Sequence, residues 1–113
     1  MSIADVWNIP GNPTELARWS TLHMILHRDQ NRAALMLFNT ILPEYILDPT
    51  DFTSNGTWMQ NHQTMHNNID ALTGVAQFDL LEVNWQDEDQ RIGWIQGHAQ
   101  LHQQESNALK VFS

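Results

Sequence analysis

Six imidazoles are the groups in this 113-residue chain whose type and spacing point to chemistry. They fall in three copies of one pattern: Trp19-x3-His23-x3-His27, Trp58-x3-His62-x3-His66 and Trp94-x3-His98-x3-His102. Every histidine is used, with three of the five tryptophans. Imidazole is the commonest protein metal ligand and the side chain that titrates near neutral pH. A spacing of four returns each residue to the same face of an α-helix, so each copy presents one indole and two imidazoles in a row. Three converging rows make either a metal centre or a buried histidine packing network.

As a metal centre, each i, i+4 pair grips an ion from two positions. The candidate ligands are His23, His27, His62, His66, His98 and His102. They can close around one ion as a six-nitrogen site, or divide into two three-histidine sites, each with an open position. Nitrogen-only ligation suits a divalent transition metal (Zn, Ni, Cu or Fe) rather than Mg or Ca. Asp70, four after His66, and Glu105, three after His102, are candidate acceptors that orient a ring from behind. The matching positions of the first copy, Gln30 and Asn31, are neutral. As a packing network, the rings would hydrogen-bond to one another beneath Trp19, Trp58 and Trp94. Either arrangement buries neutral imidazoles and makes the fold acid-sensitive.

Catalysis finds little support. Glu-x-x-His, the mark of di-iron carboxylate bundles, occurs nowhere. His-Glu-x-x-His, the zinc-protease pattern, is missing too. No Ser nucleophile with a charge partner and no phosphate-binding glycine loop is present. No catalytic residue is assigned, and an enzyme is not expected.

The elements that must position these rows are three helices in one all-α domain spanning residues 1–113. Asn12, Pro13 and Glu15 form a start signal, and the inward face runs Leu16, Trp19, His23, Leu26, His27, Ala34 and Leu37. With Pro43 as the stop, this predicts a helix over 13–41. Thr57 with Gln60 starts a second, with Trp58, His62, Met65, His66, Ile69 and Leu72 inward; Gly74 ends it, giving 57–73. Asp87 with Gln90 starts a third over 87–111, with Trp94, His98, Leu101, His102, Glu105 and Leu109 inward. Gly93 and Gly97 in this helix either mark close approach of a neighbouring backbone or are tolerated weaknesses.

The connectors, 42–56 and 73–86, are long for a small helical domain and carry Tyr45, Ile46, Leu47, Phe52, Val75, Phe78, Leu80, Leu81, Val83 and Trp85. These are expected to pack over the bundle or to meet a partner. About 14 extended residues reach about 45 Å, whereas a 16-residue helix is about 24 Å long. The helices can therefore all run parallel, stacking a Trp layer, a His23/His62/His98 layer and a His27/His66/His102 layer. General frequency favours the alternative, an up-down-up bundle with His23 level with His66 and His98.

Charge narrows the partners. The net charge is −8, and it gathers in residues 41–113, where ten acids face only Arg91 and Lys110. This argues against nucleic acid, whose partners cluster Lys and Arg. No apolar run reaches the roughly 20 residues of a membrane span. The first residues, Met1 to Asp5, have neither the basic region nor the apolar core of a signal peptide. Cysteine is absent, which fits a reducing compartment and a cytoplasmic location.

The stretch Trp58-Met-Gln-Asn-His62-Gln-Thr-Met-His66-Asn, then Ala71-Leu72-Thr-Gly74, and then Val83-Asn-Trp85-x-Asp87, resembles small helical virion-associated proteins of tailed bacteriophages. The resemblance spans roughly residues 42–105. It implies a non-enzymatic structural subunit of the head, neck, tail or fibre, located in the virion and contacting other protein subunits as a homo- or hetero-oligomer. It carries over no catalytic residue. The reading of the histidines alone keeps a second function open, a dedicated metal-binding protein or small metalloenzyme.

Overall fold

The computed structural model describes residues 13–45, 47, 57–84 and 87–110. Three helices make up the fold: α1 (Pro13–Phe38), α2 (Thr57–Thr73) and α3 (Glu88–Leu109). Each packs against the other two, and no strand occurs among the described residues. The predicted three-helix, all-α architecture is the one observed. The expectations for Asn12, Ile46, Phe52, Trp85 and Val111, and for the side chains of Glu15 and Leu16, lie outside the described residues.

The helices run parallel, against the up-down-up order that frequency favours. The layers show this directly. Trp19 and Trp58 have ring centroids 6.0 Å apart, and Trp94 joins the same buried cluster. Next come His23, His62 and His98, with ring centroids 4.8 to 5.0 Å apart. His27, His66 and His102 follow at 4.4 to 4.8 Å. Ala34, Ile69 and Leu109 close the far end. The order is the same along every helix, so like repeats sit at like heights. Each Trp removes about 200 Å² from water, about 5 kcal/mol of gross hydrophobic stabilisation as an upper bound.

A parallel bundle needs return runs, and the second connector supplies one. Gly74, at φ 78, turns the chain out of α2, its amide donating to the Asp70 carbonyl at 2.9 Å. Gln63 then holds the returning backbone at two points. Its Nε2 donates to the Phe78 carbonyl at 3.0 Å, and its Oε1 accepts from the Leu80 amide at 2.6 Å. The Trp94 indole donates to the Leu80 carbonyl at 3.1 Å. Leu80 and Val83 enter the core, as does Leu47 from the first connector. Leu47, Leu80 and Val83 of the connectors thus pack onto the bundle.

Two boundaries differ from expectation. Helix α1 ends at Phe38 rather than near Pro43, because Asn39 adopts a left-handed conformation (φ 52) and its amide bonds back to Leu35 at 2.9 Å. Beyond the last core contact of α1, Leu37 is exposed rather than inward. Helix α3 ends at Leu109, capped by Lys110 at φ 58. At its start, Asp87 accepts from the Asp89 and Gln90 amides at 3.0 and 3.3 Å, as a cap should. Gln90, however, accepts from the Asn84 amide at 2.9 Å and so ties the connector to the helix.

The glycine pair also resolves. Gly97 lies under the Phe78 ring, so a side chain rather than a backbone makes the close approach. Gly93 is exposed, and an added Cβ there meets open space. Gly93→Ala is therefore expected to stabilise the fold by about 1 kcal/mol, read as a melting temperature raised by about 4 °C.

Candidate metal centre

The parallel register delivers all six imidazoles to one point. Each helix contributes two rings one turn apart, and all six residues are 0 to 2% exposed. The Nε2 of His23 stands 3.2 Å from that of His98, 3.1 Å from His62, 3.0 Å from His27 and 3.3 Å from His102. The Nε2 of His62 stands 3.1 Å from that of His98 and 3.0 Å from that of His66. The candidate ligand atoms of all six lie within 4.8 Å of one another. Four close neighbours of His23 leave His66 opposite it. An octahedron with edges of about 3.1 Å has opposite corners about 4.4 Å apart, and the six contacts made by His23 and His62 match its edges.

The six rings therefore form one centre, not two three-histidine sites. The layers are too close for two cations, with the nitrogens of successive layers only 3.0 Å apart within α1 and within α2. A buried group of six histidines so arranged could hold one metal ion.

The surroundings seal it. Each indole lies over the histidine one turn on, with centroids 4.6 Å apart in all three copies. Below the cage comes a polar layer. Gln30 Nε2 donates to Ser106 Oγ at 3.1 Å and to the His102 carbonyl at 3.4 Å, joining α1 to α3. The sequence reading passed over Ser106, although its position four after His102 places it on the same face. Beside α1 a cavity of about 200 Å³, lined by Met24, Arg28, Glu44, Tyr45 and Met65, reaches the His27 ring.

Glu105 reaches across to a neighbouring helix. His66 Nδ1–H donates to both its oxygens, at 2.9 and 3.0 Å, whereas His102 Nδ1 is 3.8 Å away. That bond fixes the His66 tautomer and leaves its Nε2 lone pair toward the cage. Asp70 is buried against Glu105 and hydrogen-bonds no ring among the described residues. The Nδ1 atoms of His23, His62, His98 and His102 are buried with no hydrogen-bond partner among the described residues.

Electrostatics follow from burial. Desolvation, then repulsion from neighbouring imidazoles, holds His23, His27, His62, His98 and His102 well below the usual histidine range. Burial takes His66 down to about 3, opposed by the nearby Asp70 carboxylate. Burial pushes Glu105 up to about 8, and burial together with Glu105 pushes Asp70 up to about 9. The rings are thus neutral with lone pairs available, the form a metal requires.

The fold and the site together define a parallel three-helix bundle closed around a six-histidine centre. The chain matches no family model, no curated protein and no solved structure. No helix among the described residues is long and apolar enough to cross a membrane.

Proposed function

We propose that this protein is a non-enzymatic structural subunit whose core is clamped by one divalent transition-metal ion. The observation that carries the reading is the convergence of six buried histidines within 4.8 Å. Ring-to-ring hydrogen bonding alone accounts for it poorly. Each N–H···N bond needs one donor and one acceptor, so six neutral Nε2 atoms form at most three such bonds. A cation satisfies all six lone pairs at once. An ion so held has no position left for substrate or water, which supports a structural role over a catalytic one.

Metal analysis of protein purified from metal-replete medium, before and after chelation, tests the clamp. One equivalent per chain, lost in His62→Ala, is expected; metal-free protein of unchanged stability sinks the reading. Glu105 adds a finer check. Replacing it with Gln keeps the shape but removes the carboxylate behind His66, and metal affinity is expected to fall about 10- to 100-fold in a competition titration.

The assembly reading is that the subunit belongs to a tailed-phage particle. It rests on the resemblance of residues 42–105 and on large apolar side chains left outside the bundle. Met36 is 79% exposed and Ile41 83%, beside Leu35, Leu37 and Phe38. Exposed apolar side chains gathered at the end of α1 suit contact with another protein subunit. Size-exclusion chromatography with light scattering checks it: a defined oligomer is expected, and a monomer at high concentration overturns self-assembly.

A further inference from the structure

We propose that the cage selects an ion that prefers octahedral coordination, ferrous iron or nickel(II), over zinc and copper. The inference rests on the metal-clamp reading and concerns only which ion fits.

The geometry sets a size and a shape. An octahedron with edges of 3.0 to 3.3 Å places its centre about 2.1 to 2.3 Å from each corner, the edge divided by the square root of two. Zinc holds imidazole nitrogens at about 2.0–2.1 Å and in structural sites takes four of them, tetrahedrally. Four such ligands stand about 3.3 Å apart, wider than most contacts here.

The shape also disfavours zinc's usual four-coordination. Six corners form three opposite pairs, and any four corners must include one complete pair, such as His23 with His66. A tetrahedron contains no opposite ligands. Zinc has no d-electron preference and can sit among six rings, but its usual four-coordinate geometry is reached here only by swinging rings out of the cage. The indoles packed above and the Gln30, Ser106 and Glu105 contacts below resist that movement. Copper(II) prefers a tetragonal set, with one opposite pair drawn away. The near-equal contacts of His23 and His62, at 3.0 to 3.3 Å, and helices that carry two rings each, oppose that elongation. Imidazole donors suit iron and nickel, and six of them supply the full octahedron those ions accept.

The usual affinity order places copper highest and zinc close to nickel, so the proposal predicts a departure caused by shape. Stripped full-length protein is offered equimolar Ni²⁺ and Zn²⁺, and separately Fe²⁺ and Zn²⁺ without oxygen, then desalted and analysed. Nickel or iron is expected to exceed zinc by about tenfold or more. Cobalt(II) serves as an optical probe: six-coordinate cobalt absorbs weakly and four-coordinate cobalt intensely. Weak bands support the proposal. Zinc outcompeting nickel and iron, or intense cobalt bands, overturns the selectivity while leaving the clamp standing. Failure to bind any of these ions overturns the clamp itself, and with it the selectivity. Gly93→Ala, exposed on α3 and away from the cage, is expected to keep the same preference.

Discussion

Nickel(II) at a thousand times its dissociation constant is expected to raise the melting temperature of the chelator-stripped protein by about 15 °C. An ion that binds only the folded state stabilises it by about 4 kcal/mol at that excess. A domain of this size gains about 4 °C per kcal/mol. Net stabilities are only about 5–15 kcal/mol, so the ion supplies a large share. Two variants separate this effect from ordinary packing. Leu101→Ala deletes a buried side chain and is expected to cost about 2–5 kcal/mol while retaining the metal-dependent increment. His62→Ala removes a ligand and is expected to lose the increment. Calorimetry with and without nickel reads both. An equal increment in His62→Ala counts against the cage.

The metal-free protein is expected to have a narrow stability maximum near pH 6 to 7. Two sets of groups act in opposite directions. The six histidines have folded pKa values below the unfolded value of about 6.5. As the pH drops below that value, the unfolded chain takes up protons the fold refuses, and stability falls. Six such protons correspond to about 8 kcal/mol per pH unit in the limit. Asp70 and Glu105 are raised, to about 9 and about 8. Their stabilising contribution is present at low pH and declines as pH rises from about 4 towards those values, by at most about 3 kcal/mol per unit. Below pH 6 the six imidazoles outweigh the two carboxyls, and unfolding near pH 5 is expected. Above pH 7 the carboxyls dominate and stability declines. Chemical denaturation of stripped protein from pH 4.5 to 9 measures the profile. A flat profile between pH 7.5 and 5 contradicts the buried, neutral cage. Bound metal should flatten the alkaline limb, because a cation in the cage favours ionised Glu105.

Much of this was legible in the residues. The Trp-x3-His-x3-His spacing placed all six rings inward, and the start signal at Thr57 and the stop at Gly74 bounded α2 correctly. Helix direction was harder to read, because periodicity along one helix is blind to its neighbours. Parallel helices are signalled by the connectors, whose length permits a full return run, and by the like direction of the three repeats. Glu105 shows a second limit. Its spacing suggested service to His102 on its own helix, yet its carboxylate meets His66 on another. Contacts across helices depend on rotation and height, which no single segment encodes. Asn39 ended α1 before Pro43 because a left-handed asparagine can terminate a helix as glycine does.

The sealed cage has a kinetic consequence. With indoles packed over one triangle of rings and a polar layer beneath the other, an ion held there would depart only when a helix lifts, even beside the cavity at His27. Its residence time is then set by the opening rate of the bundle rather than by the lability of any single bond. The metal found in mature protein would be a record of what the surroundings offered as the chain folded, kept after those surroundings have changed.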